Sequence, residues 1–177
     1  MTNCPVWRTA ILPPVRFELR HDFSSPAPEV AAALLDPSFQ ASLDGLGPLK
    51  SREVLSQETE AGGRVTRRVR CVLGIDLGAA SRFLGDSEPA WVEEARWDPK
   101  QMSWSWVIHP EVAEHLLSAS GTMALQDRDE GASRLIDGRV DVRVPLYGGK
   151  VEGWIVKGIS DAYEEEAGRL ETYLAGR

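Results

Sequence analysis

The C-terminal segment restricts the fold most, because it predicts one long helix with a single apolar stripe. No proline lies between Gly149 and Leu174, and apolar side chains recur there every three or four residues. The stripe consists of Val151, Ile155, Ile159, Tyr163, Ala167, Leu170 and Leu174. A helix of about 25 residues is about 40 Å long, so the stripe needs an equally long apolar partner.

Alternating segments supply that partner. VRFELRHDF, residues 15–23, predicts a strand whose inward face carries Val15, Phe17, Leu19, His21 and Phe23. The proline-bounded segment after it predicts short helices up to about Leu43. Runs at 50–60 and 64–73 then predict a hairpin around Gly62-Gly63. Its expected pairs are Val54 with Cys71, Ser56 with Val69 and Glu58 with Arg67.

Two further hairpins complete a meander of about six strands. The first, WVEEARWDPKQMSWSWVI at 91–108, holds four of the six tryptophans. Closure at Asp98–Gln101 pairs Trp97 with Met102, Ala95 with Trp104, Glu93 with Trp106 and Trp91 with Ile108, all on one face. The second turns at Glu130-Gly131, and its apolar face is Met123, Leu125, Ile136, Val140, Val142 and Val144. Between them, HPEVAEHLLSA predicts a helical turn.

This order predicts an α+β fold in which a curved antiparallel sheet of about seven strands wraps around the long C-terminal helix. Two short helices follow the first strand. Residues 1–13 are expected to be an N-terminal arm, and residues 14–177 a single domain. Since the sheet and the helix each have one apolar face, burying both leaves a cavity between them.

The same order, together with VRVPLYGGKVEGWIVKGI at 142–159, resembles the START-like helix-grip superfamily, which includes pollen allergens, lipid-transfer domains and polyketide cyclases. Within it, VPLYGGKVEG is similar to the strand-to-helix joint of a family of uncharacterised bacterial proteins. The resemblance runs from about Val15 to Leu174. It implies a sheet gripping the last helix over a cavity for a hydrophobic ligand, and it implies no reaction. Gly148, Gly149 and Lys150 are explained by the tight joint alone.

Ionisable residues on apolar faces are the candidate polar groups of that cavity, because an unpaired buried charge is costly. By alternation these are His21, Arg67 and Glu93. Arg67 is either a cross-strand partner of Glu58 or an anchor for a ligand carboxylate or phosphate. Glu93 has no partner in its hairpin, so it is a candidate proton donor or acceptor unless its strand end is exposed to water.

Other classes of function are not indicated. A formal charge of −7 argues against a nucleic-acid surface. His109 and His115 are six residues apart and do not converge on a helix, so we expect no metal site, and no nucleotide fingerprint suggests a cofactor. Cys4 and Cys71 are expected to be reduced thiols in a cytoplasmic protein without a membrane span. Segment 74–89 is either a lid over the cavity or a packed connector.

The sequence therefore predicts a protein that binds a hydrophobic small molecule or lipid. Trp91, Trp104 and Trp106 are the expected walls, with Arg67 or His21 at the polar end. Ordinary core packing alone would also explain these indoles. The alternatives are a cyclase or aromatase-like enzyme, in which Glu93 or His21 moves protons on a polyketide-type substrate, and a protein-interaction module with a filled core.

Overall fold

The computed structural model describes residues 14–74, 78, 86–143 and 148–177, without the side chains of 148–151. The elements are β1 (Val15–Phe23), α1 (Ala27–Leu35), α2 (Pro37–Ala41), β2 (Leu49–Thr59), a 3₁₀ turn (Ala61–Gly63), β3 (Val65–Leu73), β4 (Ala90–Asp98), β5 (Ser103–Pro110), β6 (Leu117–Asp127), β7 (Ala132–Val142) and α3 (Gly148–Ala175). The predicted arm at 1–13, most of segment 74–89, and the side chains of the joint at 148–150 lie outside this description.

All seven strands form one sheet in the order β1-β7-β6-β5-β4-β3-β2, and every neighbouring pair is antiparallel. The sheet curves around α3, which confirms the α+β helix-grip architecture. Strand β1 pairs with β7, so the first strand lies beside the last strand that precedes α3. Helix α3 packs directly on β1, β7 and α1.

The apolar faces predicted by alternation form the core. Phe17 and Phe23 of β1 are buried together with Ile136 and Val140 of β7. Leu170 of the α3 stripe is fully buried. Val142, Met123 and Leu125 of the third hairpin are buried as predicted, whereas Val144 lies outside the described residues.

Strands β2 and β3 form the predicted antiparallel hairpin, but the predicted residue pairs are wrong, because β2 contains irregularities that the alternation does not reveal. Arg52 lies opposite Cys71, and the register shifts between Val54 and Ser56. Beyond that shift Gln57 lies opposite Arg67, and Glu58 lies opposite Thr66. Glu58 is exposed, so the first alternative for Arg67, a cross-strand pair with Glu58, is wrong.

The β4–β5 hairpin has the predicted faces but a different register. Trp97 lies opposite Trp104, and Ala95 lies opposite Trp106. The register differs by two residues because the four-residue loop spans 99–102 rather than 98–101, so that Asp98 pairs with Ser103. Met102 closes that loop with φ 50°, in the left-handed region. A shift of two preserves the side of the sheet, so all four tryptophans keep their predicted face.

The helical turn expected at 109–119 is also wrong. Strand β5 continues to Pro110, residues 111–116 form bends and turns, and β6 begins at Leu117. Ala113 adopts φ 53° within this connection, a conformation that cannot continue a right-handed helix.

Two glycines bring aromatic rings onto the sheet backbone. Gly121 of β6 and Gly138 of β7 are cross-strand partners, and Trp106 of β5 lies opposite Gly121. A Cβ atom on Gly138 would lie 2.4 Å from Phe17 Cζ and 3.0 Å from Trp106 Cζ2. Only glycine therefore allows both rings to lie directly on these strands.

Candidate functional site

A cavity of about 280 Å³ lies between α3 and the inner face of the sheet. Because α3 touches β1 and β7 directly, the space opens on the opposite side, over β3 to β6. Much of its wall is apolar and includes Trp91, Trp104, Trp106, Ile108, Met123 and Ile159. Its polar side chains include Arg52, Arg67, Glu93, Tyr163 and Glu166.

The tryptophan wall comes from the alternation of β4 and β5. Trp104 and Trp106 are buried and face the cavity, and Trp97 packs behind Trp104 with ring centroids 5.4 Å apart. The indole Nε1 atoms of Trp104 and Trp106 are buried, with no hydrogen-bond partner in the part of the chain that is described. Trp154 of α3 is 49% exposed and also lines the cavity, so it marks the side on which the cavity reaches solvent.

Arg67 connects this wall to the end of α1. Its guanidinium is 4.8 Å from the ring centroid of Trp104, and Nη1 donates a hydrogen bond to the Leu34 carbonyl oxygen at 2.9 Å. Carbonyls in the last turn of a helix lack intrahelical partners and favour cations, so Arg67 also has a structural role. Burial, followed by the charge of Arg52, lowers the pKa of Arg67 to about 10, which leaves it charged at neutral pH. Its Nε atom is buried and has no partner among the described residues.

Glu93 and Glu166 both line the cavity, and Glu93 is the one without an ion-pair partner among the described residues. Arg52 donates to the carbonyl oxygen and the Oε1 atom of Gln40 at 3.1 and 2.7 Å, whereas the Glu93 side chain makes no hydrogen bond within the described part of the chain. Glu93 is partly exposed, and the exposed part faces the cavity that it lines. Burial raises the pKa of Glu93, and the opposing charges of Arg52 and Arg67 lower it less than burial raises it. The carboxyl is therefore better suited to proton exchange near neutral pH than a surface glutamate.

Two further side chains face the cavity without charge. Burial raises the pKa of the Cys71 thiol to about 12, with a smaller contribution from Glu93. Burial also raises the pKa of the Tyr163 hydroxyl. Both groups are un-ionised at neutral pH, so the ionisable chemistry of the cavity belongs to its arginines and glutamates.

His21 does not line the cavity. It is 7% exposed and lies beside Arg134, whose side chain is fully buried. Arg134 Nη2 donates to His21 Nδ1 at 3.3 Å, and Arg134 Nη1 pairs with Glu166 Oε1 at 2.6 Å. Burial, followed by the charge of Arg134, lowers the pKa of His21. His21 therefore belongs to a polar contact between the sheet and α3, and we assign it no contact with a ligand.

The structure thus brings five of the six candidate residues together around the cavity: Trp91, Trp104, Trp106, Arg67 and Glu93. Sequence reasoning missed Arg134 and Glu166. Arg134 is two residues before Ile136 and so shares its inward face, and Glu166 lies one turn after Tyr163 of the apolar stripe. The alternation that identified Arg67 could have identified Arg134, and the helical period could have identified Glu166.

Metal and membrane features are not found in the described ranges. His109 and His115 are exposed. No group of three or more His, Cys, Asp or Glu side chains there is placed to hold a metal ion. None of the described helices combines the length and apolarity required to cross a bilayer.

Solved structures of other proteins share this fold. TTHA0849 from Thermus thermophilus is 20% identical, with a TM-score of 0.62 over 93% of this chain and 98% of that one. The ZhuI aromatase/cyclase from Streptomyces sp. R1128 is 14% identical, with a TM-score of 0.62 over 92% and 94%. A START superfamily protein from Mycobacterium smegmatis is 10% identical, with a TM-score of 0.60 over 89% and 98%. The chain therefore has the START-like fold that its sequence indicated.

Sequence comparison gives one family. A family model described as "Protein of unknown function (DUF2505)" matches residues 18–174. The search of curated proteins found no match. The match spans β1 to α3, so it includes every element that lines the cavity.

Proposed function

The chain belongs to the DUF2505 family of proteins of unknown function, and from its cavity we propose that it binds a hydrophobic small molecule or lipid. The observation that supports this most is a space of about 280 Å³ with a largely apolar wall. Pockets that hold drug-sized molecules begin near about 300 Å³. A pure interaction module with a filled core would leave no such space.

The residues divide into an apolar wall and a polar end. Trp91, Trp104 and Trp106 would contact the apolar body of the ligand, since aromatic rings offer a large and rigid contact area. Arg67, which lines the cavity, would hold a polar oxygen of the ligand with its guanidinium group. Solved structures of the same fold include a START superfamily protein and an aromatase/cyclase, which is compatible with an apolar ligand.

Native mass spectrometry of freshly purified protein, followed by solvent extraction, tests the proposal. Ile159→Trp on α3 fills the cavity, whereas Val107→Trp places the same ring on the outer face of β5, where Val107 is 37% exposed. We expect a bound molecule in the wild type and in Val107→Trp but not in Ile159→Trp. The proposal fails if the wild type carries nothing and shows no thermal shift with fatty acids, lipids or polyphenols.

Glu93 favours a second candidate, a cyclase or aromatase-like enzyme acting on a polyketide-type substrate. A carboxyl that faces the cavity with a raised pKa can act as a general acid or base. Glu93→Gln should then reduce turnover by about 10²–10⁴-fold while substrate still binds, and Glu94→Gln on the outer face should not. Equal rates in the two variants would remove this candidate.

A further inference from the structure

The cavity wall carries two cationic side chains that form no ion pair within the described part of the chain. Arg52 and Arg67 both line the cavity, and their hydrogen bonds go to uncharged oxygen atoms. Arg67 is 7% exposed, and the charge of Arg52 is near enough to lower its pKa. Buried charges are usually paired, because an unpaired charge in an apolar space is costly. Two neighbouring guanidinium groups of this kind therefore indicate a place for an anion.

Each guanidinium keeps one nitrogen atom for a ligand. In Arg67, Nη1 donates to the Leu34 carbonyl oxygen and Nε is fully buried. The third nitrogen, Nη2, has no partner among the described residues and is not fully buried as Nε is. Arg52, whose Nη1 and Nη2 atoms donate to Gln40, keeps an Nε atom without a partner in the same ranges. These two donors match the two oxygen atoms of a carboxylate.

The carboxyl groups of the wall do not offset these positive charges. Glu166 is already paired with Arg134. Glu93 is one carboxyl beside two guanidinium groups, so at least one positive charge stays uncompensated. Burial raises the pKa of Glu93, and a bound anion would raise it further, so this carboxyl can take up a proton and donate it to the ligand. A cationic ligand would instead meet two like charges where water is excluded.

We propose that the ligand is a hydrophobic acid whose carboxylate binds at Arg52 and Arg67 while its apolar body lies against the tryptophan wall. Hydrogen bonds between guanidinium and carboxylate are about twice as strong as those between neutral groups. A phosphate monoester fits less well, because it brings three acceptor oxygens and about two negative charges to two donors beside Glu93. The inference rests on the proposed function and specifies the chemical class of its ligand.

Four probes with one ring system test this in the unmodified protein. Naphthalene, 2-naphthoate, 2-naphthyl phosphate and 2-naphthylmethylammonium are titrated at pH 7 by isothermal calorimetry. We expect 2-naphthoate to bind about tenfold more tightly than naphthalene, because one hydrogen bond to a charged group changes affinity by at least about that factor. It should also bind more tightly than the phosphate and the ammonium probes. Naphthoate binding no better than naphthalene, or weaker than either other ion, overturns the inference but leaves apolar binding intact; failure of all four probes counts against both.

Single substitutions locate the effect. Arg67→Met and Arg52→Met each remove one guanidinium but keep an apolar side chain on the wall, so each should lower the affinity for 2-naphthoate by about tenfold and change naphthalene binding little. Arg68→Met is the matched control, since Arg68 is the next residue of β3, is exposed on the outer face and carries the same charge. Naphthoate affinity that is equal in the two cavity variants and in Arg68→Met contradicts the assignment. If Arg67→Met does not fold, the comparison of Arg52→Met with Arg68→Met decides.

Discussion

The imidazole of His21 lies between the buried guanidinium of Arg134 and the exposed carboxylate of Glu164, whose Oε2 atom is 3.8 Å from Nε2. Burial and Arg134 lower its pKa, while Glu164, Glu166 and Asp22 raise it less. Since an arginine can only donate, Nδ1 of His21 must accept. Protonation of His21 would remove that acceptor and place a second cation against Arg134.

The lowered pKa of His21 predicts a loss of stability in mild acid. The unfolded chain binds a proton near pH 6.5, before the folded protein does, so the free energy of unfolding falls as the pH drops below 6.5. The loss ends at the lowered pKa of the folded state, and its slope is at most about 1.4 kcal/mol per pH unit. His21→Asn keeps an acceptor but does not titrate. Urea unfolding at pH 7.5 and 5.5 should show a smaller difference for the variant than for the wild type; equal differences would contradict the assignment.

Alternation predicted the inward faces of Arg67 and Glu93 because a strand has a period of two, whatever its partner. It could not predict what these side chains contact. Arg67 reaches the Leu34 carbonyl, 33 positions away in the chain. Such a contact depends on where α1 ends over the sheet, and no local pattern contains that position.

At the scale of elements, a buried ion pair holds α3 against β7. Arg134 is fully buried and pairs with Glu166, whose side chain is 15% exposed. Removing one partner of such a pair leaves a buried charge without a partner and lowers the free energy of unfolding by about 3–5 kcal/mol. Replacing both partners by apolar groups is often tolerated. Glu166→Leu should therefore destabilise the protein more than the double variant Arg134→Met/Glu166→Leu. Urea unfolding measures both, and a double variant less stable than the single one would contradict this account.

The glycine pair on β6 and β7 gives a second prediction for the elements. A Cβ atom at Gly138 overlaps Phe17 and Trp106, so Gly138→Ala should cost about 1–3 kcal/mol through overpacking. A Cβ atom at Gly153 of α3 would have nothing within 4 Å, so Gly153→Ala should instead stabilise the helix by up to about 1 kcal/mol. Thermal unfolding followed by tryptophan fluorescence compares the two. Equal effects of the two substitutions would show that the close approach at Gly138 is not limiting.

Registers were less predictable than faces. The register of the β4–β5 hairpin differs from the predicted one by two residues, because its four-residue loop begins one residue later, and an even difference keeps each side chain on its predicted face. In β2 the irregularity between Val54 and Ser56 exchanged the faces of the residues after it, so Glu58 points outward. A bulge inserts one residue, and an odd shift exchanges the two sides of a strand.

For the whole molecule, the curvature of the sheet around α3 could be predicted from the sequence, because the sheet and the helix each have an apolar surface that must be buried. The volume of the cavity between the sheet and the helix could not be predicted, because it depends on how closely α3 approaches each strand. Helix α3 contacts β1 and β7 directly, and small side chains such as Ala95, Ala119 and Ala162 line the space on the other side. Faces can be read from a period, but the volume left between two faces depends on every side chain that meets there.

A cavity kept open for a ligand costs stability, because its wall lacks packing partners on one side. Ala119→Val on β6 adds two methyl groups to the cavity wall, and cavity filling commonly adds about 0.5–2 kcal/mol. Ser118→Val makes a comparable change at the adjacent, exposed position, so it measures the gain from strand propensity alone. We expect Ala119→Val to stabilise the protein more than Ser118→Val in urea unfolding and to weaken naphthalene binding severalfold. Loss of stability in Ala119→Val with unchanged binding would show that Ala119 is already fully packed. Filling this wall would then not exchange ligand affinity for stability.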